Sequence, residues 1–257
     1  MSIAVKKLKD GWPSRLIYLP YAGGNAASCH YLKPHLTMDV ALYGVEPPGH
    51  GMNFAPLLDD YDRLFANYVE GLLPYLQPPY VLMGYSLGGL MAYDLMCYLQ
   101  SHNLPAPEFG VIAATVPPQL MAKVQQKKGW HQMTDEEILS DIMETGGVAK
   151  ELQTDLELLR MFIPVYRADS RVFHSFSHRN WPLLRTPLKI FGGTADEDIP
   201  PDSLEEWKKS GNDVTVTLLE GGHMFLTERG AELGHTITRS LEQLALTSKE
   251  EKWKRKN

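Results

Sequence analysis

Short runs of apolar and β-branched residues at Leu16–Leu19, Val40–Val45, Tyr80–Met83, Gly110–Val116, Leu188–Phe191 and Val214–Leu219 punctuate the chain, each bounded by turn residues. Most gaps between them carry apolar residues at helical spacing: Asp60–Leu76, with Leu64, Tyr68 and Leu72 on one face, then Leu87–Gln100, Leu204–Lys209 and Glu228–Leu246. Strands that are apolar on both sides and alternate with helices can pair in parallel only if the helices serve as crossovers. The pattern therefore predicts an α/β protein with a mostly parallel sheet covered on both faces. The 257 residues are an ordinary length for one such domain.

The alternation fails once. From about Leu120 to Trp181 no strand is predicted, while Thr134-Asp135-Glu136-Glu137 forms a capping box and Asp155–Tyr166 has helical periodicity. Some sixty helical residues between two strands, positions 120–181, are expected to form a lid rather than a second fold. Met143 and Phe162 are its candidate substrate contacts, although Leu139, Ile142, Leu156, Leu159 and Met161 share their apolar character and packing against the body is the commoner fate of any one of them. The tail from Lys249 is too polar to pack and is expected to fray.

Composition excludes several classes. A net charge of −6 argues against general nucleic-acid binding, and 44% hydrophobic residues with no repeat argue against a disordered or fibrous chain. The first twenty residues interleave charges with apolar positions and lack a signal-peptide core, and no apolar run is long enough to span a bilayer. A soluble, cytoplasmic monomer with no membrane association is expected, with Cys29 and Cys97 as reduced thiols.

The chemistry concentrates at predicted strand ends. Gly84-Tyr85-Ser86-Leu87-Gly88-Gly89 follows one strand and opens a helix, the setting in which a tight turn exposes a nucleophilic serine. Such a serine needs a base and the base an orienting acid. Asp196 lies just past Leu188–Phe191 and His223 just past Val214–Leu219, in the order serine, acid, histidine. Asp198 is the alternative acid. After the first strand, Leu19-Pro20-Tyr21-Ala22-Gly23-Gly24 can supply one backbone N–H for an oxyanion, at Ala22, and the residue after the serine supplies the other, at Leu87. Neither phosphate-loop spacing is present, and His174 with His178 lacks the companions of a zinc site, so no metal and no bound cofactor is expected.

Together Leu19-Pro-Tyr-Ala-Gly-Gly-Asn-Ala, Pro48-Gly-His-Gly, Gly84-Tyr-Ser-Leu-Gly-Gly, Phe191-Gly-Gly-Thr-Ala-Asp and Gly221-Gly-His-Met-Phe-Leu resemble the type II thioesterases that accompany nonribosomal peptide and polyketide synthases. The resemblance runs from about Arg15 to Leu241. It implies an α/β-hydrolase fold with a helical lid, and hydrolysis of acyl groups held on the phosphopantetheine arms of acyl or peptidyl carrier domains, either as editing or as intermediate release. The family often has Arg where this chain has His50, a departure expected to leave catalysis untouched. It often has Ser-Gly-Arg-Arg where this chain reads Ala114-Thr-Val-Pro-Pro, which bears on acyl preference.

A carboxylesterase acting on free esters and a non-catalytic scaffold that binds acyl carriers are the competing readings. Carrier domains are generally acidic, so a chain of charge −6 needs a local basic patch to meet one. Lys123, Lys127 and Lys128, at the start of the expected lid, are the candidate docking residues, ahead of the tail from Lys249 to Lys256.

Overall fold

The computed structural model describes residues 3–144 and 155–254. Among them the chain runs through β1 (Ala4–Lys9), β2 (Ser14–Leu19), a 3-10 segment (Ala26–His35), β3 (Val40–Glu46), α1 (Tyr61–Leu72), β4 (Tyr80–Tyr85), α2 (Leu87–Ser101), β5 (Phe109–Ala113), the short α3 (Met121–Val124), α4 (Asp135–Glu144), α5 (Leu156–Ser175), β6 (Leu188–Gly193), a second long 3-10 segment (Pro201–Lys209), β7 (Val214–Leu219) and α6 (Leu226–Lys254). The seven strands form one sheet in the order β1-β3-β2-β4-β5-β6-β7. All pairings are parallel except that of β1 with β3.

Period-two alternation sends each central strand's side chains to both faces. Ile17, Leu19, Leu82, Ile112 and Ile190 meet α1, α2 and Trp207 on one side. Leu16, Tyr18, Val81, Met83, Val111 and Phe191 meet the Ala26–His35 segment and α6 on the other. Both layers are fully buried, which is why these strands read as unbroken apolar runs. The strand missing from the sequence reading is β1. Its Ala-Val-Lys-Lys-Leu-Lys sequence is that of an edge strand blunted by lysines, and among the described residues it pairs with β3 alone.

The expected insertion is helical. Thr134 and Glu137 make the reciprocal capping bonds at the start of α4, at 2.7 and 3.2 Å. The Asp155 side chain accepts from the Leu158 N–H at the start of α5, and α5 runs nine residues past the predicted end at Tyr166, through Pro164. Ile138, Leu139, Ile142, Leu159, Ile163 and Tyr166 form a small core between the two helices, with Met143 packed against it. Two anchors hold this unit to the body. Ser175 Oγ accepts from the Tyr61 N–H at 2.8 Å. Asp94, wholly buried in α2, takes hydrogen bonds from Arg179, Trp181 and Tyr61 at 2.6, 2.9 and 3.2 Å. At the C-terminus, the residues expected to fray from Lys249 continue α6 to Lys254, and positions 255–257 lie outside the described residues.

Candidate active site

Ser86, Asp196 and His223 follow β4, β6 and β7, at the ends where a parallel sheet gathers its functional loops. The turn after β4 holds Ser86 at φ 51° and ψ −117°, a conformation few L-residues adopt. Two glycines permit it by close approach. A Cβ on Gly84 would lie 2.0 Å from the Gly88 carbonyl oxygen, and one on Gly88 would lie 2.2 Å from that of Leu19. The serine hydroxyl is thereby lifted out of the strand and aimed across the sheet edge.

It meets the histidine. His223 Nε2 lies 3.1 Å from Ser86 Oγ, and His223 Nδ1 lies 2.9 Å from Asp196 Oδ2. The Asp196 carboxylate can only accept from Nδ1–H, which leaves Nε2 free to accept from the serine O–H. Asp196 is itself fixed: its other oxygen accepts from the backbone N–H groups of Asp198 and Ile199 at 3.0 and 2.9 Å, and its side chain has no exposed surface. On the far side Tyr85 Oη donates to the His223 carbonyl at 2.5 Å, a support the sequence reading did not single out. Such a chain can draw a proton from the hydroxyl as the oxygen attacks.

Asp198 offers a ligand atom within 4.8 Å of those of Asp196 and His223, so the three could in principle hold a cation. Their donors are already engaged with one another, however, and Asp198 Oδ1 pairs with Lys127 Nζ at 2.9 Å.

Above the serine lies a cavity of about 390 Å³, a size that suits a small-molecule or acyl ligand. The strand-end loops supply its floor through Ala22, Ser86, Leu87, Thr115 and His223. Its walls come from the insertion, with Met121, Trp130, Met133, Ile142, Tyr166 and Phe173. The Leu87 N–H opens α2 and so has no intrahelical acceptor, and the Ala22 N–H has none among the described residues. Both residues face the cavity.

Two expected contacts fall elsewhere. Phe162 lies one turn before Tyr166 and is 40% exposed, and Met143 packs between α4 and α5 rather than on the cavity wall. Helix phase accounts for Met143, since α4 presents Asp141 and Ile142 to the cavity, whereas Phe162 shares the face of α5 that presents Tyr166, Asp169, Ser170 and Phe173 but lies one turn N-terminal to the lining. Of the three lysines, Lys127 and Lys128 border the cavity and Lys123 does not. The patch is partly neutralised, because Lys128 pairs with Glu137 at 2.8 Å and Lys127 with Asp198. Cys29 and Cys97 are free, buried thiols, each pushed up to about 12 by that burial.

Comparison with known proteins fits this geometry. A family profile described as the thioesterase domain matches residues 14–241. The AMB antimetabolite synthetase AmbE of Pseudomonas aeruginosa is 31% identical over 222 residues, which are 85% of this chain and 10% of that much longer protein. The gramicidin S biosynthesis protein GrsT of Aneurinibacillus migulanus is 24% identical over 221 residues, 85% of each chain. The type II thioesterase BorB from the borrelidin biosynthetic cluster superposes with a TM-score of 0.82 at 26% identity, covering 91% of this chain and 96% of that one. Among the described residues no helix is long and apolar enough to cross a membrane.

Proposed function

The chain belongs to the thioesterase family, and on that premise we propose that it is a serine thioesterase that frees acyl groups from the phosphopantetheine arms of carrier domains, as editing or as intermediate release in nonribosomal peptide or polyketide assembly. The observation that carries the reading is the unbroken contact from Ser86 Oγ through His223 to Asp196, set on the floor of a mostly apolar cavity beside two amides with no acceptor among the described residues.

In this reading Ser86 Oγ attacks the thioester carbonyl and His223 Nε2 takes the hydroxyl proton. Asp196 holds the imidazole in the tautomer that can accept it and offsets the charge that appears on the ring. The carbonyl oxygen becomes anionic between the Leu87 and Ala22 amides, which are fixed before the charge develops and so need no reorganisation. Collapse of the tetrahedral intermediate breaks the carbon–sulfur bond, and the departing sulfur takes the proton from the His223 imidazolium, so the pantetheine leaves as the thiol and the ring is neutral again. With a pKa of about 8.5, by analogy with cysteine, that thiol leaves with little help from an acid. Water then attacks the acyl-serine with the same histidine as base. The acyl chain lies against Met121, Trp130, Met133, Ile142 and Phe173, of which the two methionines adapt to varied shapes. The enzyme needs no cofactor of its own, since the pantetheine arrives on the partner.

Intact-mass analysis of acyl-loaded carrier domains tests the reading. The chain is expected to return the free-thiol carrier, and Ser86→Ala is expected to leave the acyl carrier unchanged, with a loss on the order of 10⁶-fold in kcat by analogy with serine proteases. Turnover by Ser86→Ala near that of the unaltered chain, or equal kcat/KM for acyl-carrier and simple esters, would count against it.

A further inference from the structure

Behind the Ala22 amide lies a buried pair that the mechanism above leaves without a role. The Gly23 N–H donates to Asp169 Oδ2 at 2.6 Å, and His50 Nε2 meets the same oxygen at 2.9 Å. Asp169 belongs to α5 and His50 to the turn after β3, so three segments far apart in sequence converge on one carboxylate oxygen. The side chains of His50 and Asp169 retain 3% and 5% of their surface. α5 also closes over this loop with Tyr166, whose ring lies 2.2 Å from where a Cβ on Gly23 would sit, and Gly23 itself has a φ of +78°.

The proton positions follow from the partners. His50 Nδ1 lies 2.9 Å from the Pro48 carbonyl oxygen, which can only accept, so Nδ1 carries a proton. Nε2 faces a carboxylate, which also accepts, so His50 is an imidazolium and the pair is neutral overall. Burial works against the charged ring, but the Asp169 charge, its hydrogen bond, the Pro48 carbonyl and Glu46 outweigh it and hold the His50 pKa above its ordinary value. Glu46 is itself paired with Lys6 at 2.7 Å, and on the cavity side of Asp169 the charged groups are Asp141, Lys127, Lys128 and Asp198. The phenols of Tyr68 and Tyr166, near Asp169, are pushed up by burial and stay neutral.

We propose that Asp169 and His50 are positioning residues for the oxyanion site: the carboxylate pins the Gly23 amide and with it the adjoining Ala22 N–H, while the imidazolium pins the carboxylate and cancels its charge. The inference rests on Ala22 and Leu87 receiving the oxyanion. An oxyanion donor is useful only if held in place beforehand, and a displacement of about 1 Å in a reacting geometry costs on the order of a hundredfold in rate. An uncompensated carboxylate on the cavity wall would in addition repel the forming anion. Because the folded-state pKa of His50 is raised, the neutral pair persists at low pH and is lost as pH rises through that value, leaving a bare anion beside the site.

The test measures kcat and KM against pH for a short-chain acyl N-acetylcysteamine thioester and for a nitrophenyl ester, with the unaltered chain, Asp169→Asn, His50→Gln and Ser86→Ala. Asp169→Asn is expected to lower kcat on both substrates by about ten- to a hundredfold with little change in KM. His50→Gln still donates to Asp169 but carries no charge. It is expected to turn over, across the neutral and alkaline range, as slowly as the unaltered chain does at its alkaline extreme. A merely structural role would reduce activity without removing that alkaline fall. Unchanged kcat and an unchanged pH profile in both variants would overturn the proposal, and if neither variant folds, an alkaline limb of kcat that stays flat in the unaltered chain overturns it equally. The Ser86→Ala control keeps the two readings apart. Turnover that survives in it removes the serine mechanism itself, whereas turnover lost there but untouched in Asp169→Asn and His50→Gln removes only the positioning role.

Discussion

Lys127, at the rim of the cavity, holds Asp198 through a 2.9 Å ion pair, two residues beyond the carboxylate that meets His223. The loop thus carries two acids with separate partners: Asp196 is sealed against the imidazole, while Asp198 is half exposed and turned to a lysine.

Replacing each acid by its amide separates their contributions. Asp196→Asn, which favours the wrong imidazole tautomer, is expected to lower kcat by on the order of 10⁴, by analogy with serine proteases. Asp198→Asn loses one exposed ion pair and is expected to change kcat by less than about threefold. Steady-state kinetics on a short acyl thioester check both, and a large loss confined to Asp198→Asn would reverse the assignment.

Chain-length preference is expected to respond to the cavity-facing side of α4. Ile142→Trp fills the acyl space and shifts preference toward shorter chains, while phosphonylation of Ser86 by a small fluorophosphonate proceeds at its usual rate. Phe162→Trp, one turn of α5 outside the cavity lining, alters neither. Competition between short and long acyl thioesters reads the difference.

At the rim, charge reversal of Lys127 and Lys128 together places two acids beside Asp198 and Glu137. The expected result is a raised KM for acyl-carrier that is larger at low salt, with hydrolysis of a small ester unaltered. Equal KM at low and high salt would leave the docking surface elsewhere.

The anchor at Asp94 predicts a stability effect. Arg179→Ala leaves a fully buried carboxylate without its cation, and Asp94 is already shifted up by burial despite that partner. A loss of about 3 kcal/mol is expected, at the low end for a broken buried pair because Arg179 remains a quarter exposed. The urea midpoint measures it, and a second substitution, Asp94→Asn, is expected to recover part of the loss.

The elbow, the acid and the histidine were legible because each is a local signal: a glycine-flanked serine between strand and helix, and polar residues just past apolar runs. The central strands were legible for the same reason, since burial on both faces leaves an apolar run. β1 was not, because an edge strand facing water is written in lysines and looks like a charged leader. The partnership of His50 with Asp169 is invisible in the sequence. The two lie 119 positions apart, and their contact exists only once α5 has docked on the oxyanion loop. Phe162 lies four residues before Tyr166 on the same face of α5, and periodicity alone does not show that the cavity lining stops at Tyr166.

The two buried thiols, each raised to about 12, have a practical corollary. Alkylating reagents attack the thiolate, so in the native protein Cys29, on the buried side of the Ala26–His35 segment, and Cys97, inside α2, are chemically silent. Their modification under a pulse of maleimide therefore counts molecules that have opened, one reporter for each side of the sheet. A cysteine introduced on an exposed face, at Phe162 for instance, would be labelled alone in the native background, giving a fluorophore that watches α5 while the original thiols keep score of unfolding.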